Sequence, residues 1–148
     1  MKAAILVLSV LLLAGCSDRV TMEFRLADDA PGDGLTGMAL AGGGQTFYLN
    51  ENIMFSNEDV VAATVPGDGD HPFVELTFSD DAAVRLAQFT EENIGRRVAM
   101  IIDGELLAAP IIQAPITAGK AVITGDFTRE EAERIAVGLC PENPVAGS

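Results

Sequence analysis

The amino-acid sequence predicts an α+β fold: a mostly antiparallel sheet with about three helices packed on one face. Short runs in which polar and apolar residues alternate mark strands, clearest in "FVELTFS", where Val74, Leu76 and Phe78 lie opposite Phe73, Glu75 and Thr77. Three serine or threonine residues, Ser56, Ser79 and Thr128, stand at helix-start positions ahead of acidic residues. Asp103-Gly104, the dipeptide favoured in two-residue type I′ turns, joins two apolar runs into a hairpin. The resulting order is strand, strand, helix, strand, helix, three strands, helix.

Taken in order, "TMEFRL" places Met22, Phe24 and Leu26 on one face of a short half-buried strand. From Asp28 to Gly44 glycine and aspartate dominate, which reads as a flexible loop. Strand character resumes at Thr46–Leu49. Ser56 and Asp59 form a capping-box pair, so a helix is expected to about Thr64, buried through Val60, Ala63 and Thr64. "PGDGDHP" is a turn leading to the Val74–Phe78 strand. After it, Ser79 caps a helix whose Asp80 and Asp81 suit the positive end of the dipole, with Ala82, Leu86 and Phe89 on the buried face and Gly95 as the stop.

"RVAMII" is nearly continuous in apolar residues, the mark of a strand covered on both faces. Leu106–Gln113 should pair back against it, and Ala121–Phe127 should add a third strand to this antiparallel set. Thr128 and Glu131 then make a second capping box, and Ala132, Ile135, Ala136 and Leu139 repeat at helical spacing until Pro141 ends the chain's last helix.

The composition narrows function. A chain of 148 residues, 49% of them hydrophobic, is enough for one cored domain. Its formal charge of −13 opposes binding to phosphate backbones, so no nucleic-acid partner is expected. One histidine, one tyrosine and no tryptophan leave few groups for acid–base chemistry near neutral pH.

The N-terminus "MKAAILVLSVLLLAGC" has a basic residue, an apolar run and small residues before a cysteine, which is a secretory signal peptide. Leu13-Ala14-Gly15-Cys16 resembles the bacterial lipobox, so residues 1–15 are expected to be removed and Cys16 to carry the lipid anchor. Removing Lys2 would make the mature chain more acidic still. With Cys16 lipidated, Cys140 has no intramolecular partner; it is read as a small apolar side chain at a helix end or, alternatively, an exposed thiol. Ser17 after the anchor is unlike the aspartate of inner-membrane retention. The expected location is the cell envelope, on the outer side of the cytoplasmic membrane or on the outer membrane facing the periplasm.

No catalytic constellation emerges. His71 sits with Asp68 and Asp70 in a turn without EF-hand spacing or a second histidine, and reads as solvated. No serine occupies a G-x-S-x-G elbow. Asp80/Asp81 and Glu130/Glu131 occupy first helical turns, where the dipole accounts for them. "AGGGQ" lacks the lysine of a phosphate loop. No metal or cofactor is expected; the competing reading from another class is a metal-dependent or acidic-site envelope hydrolase.

The run from Val74 to Leu139 resembles the head subdomain of the first large periplasmic region of SecD/SecDF, the export-associated membrane proteins. The resemblance rests on an ordered series: Val74, Leu76 and Phe78; Phe89-Thr90 and Asn93-x-Gly95; Asp103-Gly104; Ala109-Pro110 with Ile112; Ile116 followed by Gly119; Ile123-x-Gly125-x-Phe127; and Glu130-Glu131-Ala132. "MEFRLAD" upstream also resembles the start of that region. The resemblance implies a SecD-like head domain over residues 46–140, after a tether, short strand and loop over 17–45 and before a tail over 141–148. It implies a non-enzymatic module meeting exported polypeptide or another envelope protein, and does not carry over proton-driven translocation, which in the family depends on transmembrane acidic residues.

The candidate binding surface is the sheet edge formed by Leu107, Ala109, Pro110, Ile112 and Pro115. Two readings stay open. The edge accepts an extended peptide by β-augmentation, or Pro110 and Pro115 guard it against such pairing by removing donors.

Overall fold

The computed structural model describes residues 19–67 and 69–139. The expected signal peptide, Cys16, Ser17, Asp68, Cys140, the expected stop at Pro141 and the expected tail all lie outside the described residues. Among the described residues, nine strands, two α-helices and one 3₁₀ turn follow in the order β1 (Met22–Asp28), β2 (Leu35–Ala39), β3 (Thr46–Asn50), β4 (Phe55–Ser56), the 3₁₀ turn (Asn57–Asp59), β5 (Val60–Thr64), β6 (Val74–Phe78), α1 (Asp80–Glu92), β7 (Arg97–Ile102), β8 (Glu105–Ala108), β9 (Lys120–Ile123) and α2 (Arg129–Leu139). All strand pairs within the two sheets are antiparallel.

The larger sheet runs β2-β3-β1-β7-β8, with β4 also paired to β1, and the smaller runs β5-β6-β9. The larger one curls. Leu40, just past β2, forms a parallel bridge with Leu106 of β8, and the Ala41 amide donates to the Leu106 carbonyl at 2.8 Å. That contact joins the two ends of the sheet and encloses a minor core of Phe47, Leu49, Ala99, Ile101 and Leu106. The major core lies where the opposite face of this sheet meets the smaller sheet and both helices. β7 therefore buries Ala99 and Ile101 in one core and Met100 and Ile102 in the other, as its unbroken apolar run anticipates.

Both α-helices start as expected. Ser79 Oγ accepts from the Ala82 amide at 3.2 Å, and Thr128 and Glu131 exchange reciprocal bonds at 2.9 and 3.1 Å. Their predicted apolar residues are buried, Ala82, Leu86 and Phe89 in α1 and Ala132, Ile135, Ala136 and Leu139 in α2.

Several expectations change. The helix expected over Ser56–Thr64 is a single 3₁₀ turn followed by strand β5. Asp59 does accept from the Ser56 amide at 3.0 Å, but the Asn57 side chain is drawn away to β1, accepting from the Met22 amide at 2.7 Å and donating to the Val20 carbonyl at 2.6 Å. Val60–Thr64, short and rich in branched residues, pairs with β6 instead of continuing the turn. Two α-helices therefore replace the three expected.

The stretch 28–44 is not all loop, since β2 forms within it and pairs with β3 over five positions. Its glycine is used: a Cβ on Gly37 would lie 3.1 Å from the Tyr48 ring, so the ring can lie over the bare backbone. β1, β2 and β3 share one sheet, so the sheet continues across the expected boundary at residue 45. Strand β8 stops at Ala108, short of Gln113, and β9 covers only Lys120–Ile123. β9 also joins β6 in the smaller sheet and not the β7–β8 hairpin.

Phe55 sits at the hub of the major core, 2% exposed and edge-to-face with Phe24, Phe78 and Phe89, with the Arg85 guanidinium 5.1 Å from its ring centre. Truncating it leaves a cavity facing β1, β6 and α1. Phe55→Ala should cost about 3–5 kcal/mol of unfolding free energy in urea titration; a loss below about 1 kcal/mol would show that the aromatic cluster does not bear on stability.

Candidate functional site

The β7–β8 hairpin turns on Asp103 and Gly104, whose φ values of 51° and 83° are both in the left-handed region a type I′ turn requires. The turn is tied to the chain entering β1. Asp103 Oδ1 accepts from the Thr21 amide at 2.9 Å and its hydroxyl at 3.3 Å, while the Asp103 amide donates to the Thr21 carbonyl at 2.9 Å.

The five predicted edge residues, Leu107 within β8 and four beyond it, separate. Ala109 and Ile112 are buried, Leu107 is half-buried, and Pro110 and Pro115 are exposed. The segment still follows β7: the Val98 amide donates to the Pro110 carbonyl at 3.0 Å and the Ile112 amide to the Arg96 carbonyl at 2.8 Å, with Arg97 and Ile111 bridged between them. In such a pair the Pro110 nitrogen faces β7. Its missing donor is an inward one, so Pro110 leaves the outer edge as it was.

Other groups occupy that edge. The Ala41 amide takes the Leu106 carbonyl, and the Arg97 guanidinium donates to the Ala109 carbonyl at 2.7 Å while bonding Asp29 at 2.7 Å and stacking over Phe47. Ile111, 44% exposed, turns its own amide and carbonyl outward. A long peptide strand would find few free partners here.

Thr90 holds the far end of the segment. It is 2% exposed; its hydroxyl donates to the Leu86 carbonyl at 2.8 Å and accepts from the Ile116 amide at 2.9 Å, fixing the residue after Pro115 to α1. Thr90 was visible in the sequence only as part of a motif, because its partner is remote. Arg97 and Asn57 gave no signal: an arginine opening an apolar strand and an asparagine in a presumed helix both look like surface residues.

Beside β8 the surface sinks into a cavity of about 280 Å³ between the chain entering β1, the loop after β9 and α2. Val20, Leu107, Phe127 and Ile135 supply apolar walls, while Asp103, Glu105, Asp126 and Glu131 bring carboxylates. Phe127 reaches its place over Gly125, where an added Cβ would approach its ring to 3.0 Å. That contact gives a physical reason for the Gly125-x-Phe127 spacing. His71 is exposed in its turn, and among the described residues no group of three or more histidine, cysteine or acidic side chains is placed to hold a metal.

The curled sheet, helices on one side and a side cavity together define a β-rich head module. The chain belongs to the family described as SecDF, P1 head subdomain, which matches residues 35–140. It is 37% identical over 92 residues to the protein translocase subunit SecD of Acidaminococcus fermentans, covering 62% of this chain and 22% of that protein. Against the protein translocase subunit SecDF of Thermus thermophilus it is 44% identical over 68 residues, 46% of this chain and 9% of that one. A solved structure of a membrane component SecDF that enhances protein export superposes with a TM-score of 0.67 at 25% identity, over 95% of this chain and 69% of the other. The super-membrane-facing form of SecDF gives 0.66 at 28% identity, over 82% and 19%. The chain thus spans less than a quarter of the SecD and SecDF sequences it matches here.

Thr90→Val keeps the side-chain shape but leaves the Ile116 amide without its acceptor, which should cost about 1–3 kcal/mol. Hydrogen exchange should report lost protection at Ile116; unchanged protection there would mean that α1 does not hold this loop.

Proposed function

We propose that this protein is a lipid-anchored, non-enzymatic accessory module of protein export in the cell envelope, contacting exported or envelope polypeptide on the outer side of a membrane. The observation that carries the reading is membership of the head subdomain family over residues 35–140. It is extended by the lipobox-like Leu13–Cys16 in the sequence. The reading extends only to what a head subdomain does by itself, because that is the part of the relatives the match covers, and it includes no proton-driven translocation.

The tether sets where such a module works. Val20, which is among the cavity's lining residues and donates to the Gly138 carbonyl at 3.1 Å, stands four residue steps after Cys16. Fully extended these steps reach roughly 14 Å, so an anchored head rests near the lipid surface. Polypeptide emerging at that surface is within its range.

Two measurements test this. Cys16→Ala should move the protein from the detergent to the aqueous phase of a Triton X-114 partition; unchanged partitioning would remove the anchor. The purified full chain should retain a subset of peptides on an array of exported-protein sequences. Retention of none would sink polypeptide binding.

A further inference from the structure

We infer that the cavity beside β8 docks a polypeptide segment in which an apolar side chain is flanked by lysine or arginine; this rests on the proposed polypeptide-binding role and names the chemistry of its client. At about 280 Å³ the cavity falls just below the roughly 300–1,000 Å³ typical of small-molecule sites, the scale of one or two side chains. Its walls at Val20, Leu107, Phe127 and Ile135 would cover apolar surface, and each side chain withdrawn from water there contributes to affinity.

The charge around it is one-sided. Four carboxylates line it, those of Asp103, Glu105, Asp126 and Glu131, and none of the four forms an ion pair with a described residue. Asp103 is held by Thr21, and Arg134 is the one cation among the lining residues, so the rim keeps a net negative field. A cation beside the inserted side chain answers that field, and an acidic client is repelled. Main-chain pairing along β8 would add little, because Ala41 and Arg97 already occupy it.

The test uses the purified full chain in detergent and fluorescein-labelled peptides sharing one leucine and serine pattern, their flanking positions filled with lysine, glutamate or glutamine. At low salt the lysine peptide should bind about tenfold tighter than the glutamate peptide, a gap that closes at about 1 M salt, where screening reaches ~3 Å. Glu105→Gln with Asp126→Asn should remove the preference. Glu91→Gln with Glu92→Gln removes equal charge from exposed positions at the end of α1 and should preserve it. Equal binding of all peptides overturns this inference and leaves the polypeptide-binding role intact. Equal weakening by both double variants also overturns it, since net charge and not the cavity would then set the preference. Binding of no peptide overturns both.

Discussion

The structure depends on one strand being buried on both faces. β7 lies between β1 and β8, and its side chains serve two cores in alternation, Ala99 and Ile101 on one side and Met100 and Ile102 on the other. A flat sheet with helices on one face would leave Ala99 and Ile101 against water. The larger sheet meets the demand by curling until Leu40 reaches Leu106, so its own outer strands cover what the helices cannot. The minor core, the blocked edge of β8 and the side cavity are consequences of that curl.

Polar side chains hold the irregular segments against this frame. Asn57 stands in for a strand neighbour at the start of β1, Asp103 closes the hairpin onto Thr21, Arg97 bridges the Ala109 carbonyl and Asp29, and Thr90 receives the Ile116 amide. Each satisfies a backbone group that the sheets leave unpaired, and a buried group without a partner costs more than the bond itself returns. The loop from Pro110 to Gly119 can therefore cross from one sheet to the other and still be fixed. The salt bridges have a smaller part. They join half-exposed side chains, and such pairs contribute about 0–1 kcal/mol each.

How much was legible in the sequence varied with the range of each signal. The hairpin at Asp103-Gly104, both helix caps and the alternation of β6 were read correctly because each is written within a few neighbouring residues. Val60–Thr64 was misread because five mostly apolar residues fit a helix turn or a strand equally well. β2 was missed because Gly37 and its exposed neighbours give it no alternation, and Tyr48 on β3 supplies the cover. At the candidate site, the sequence pointed to the prolines of the edge. The bonding pattern turns Pro110's missing donor inward and gives the guarding of the edge to Ala41 and Arg97.

By itself the sequence determined the α+β class, the starts of both α-helices, the Asp103-Gly104 turn and the two-sided burial of β7, since these follow from local backbone preferences and the spacing of apolar residues. It also carried the family's ordered motifs. Only the tertiary structure decided that β9 pairs with β6, that Asn57 serves β1 from 35 residues away, and that Thr21 meets Asp103 across 82. Only it placed Val20, Leu107, Phe127 and Ile135 around one cavity under a rim of carboxylates. Those pairings depend on which surfaces remain uncovered after the sheet has curled, a property of the packed chain that no short stretch of residues contains.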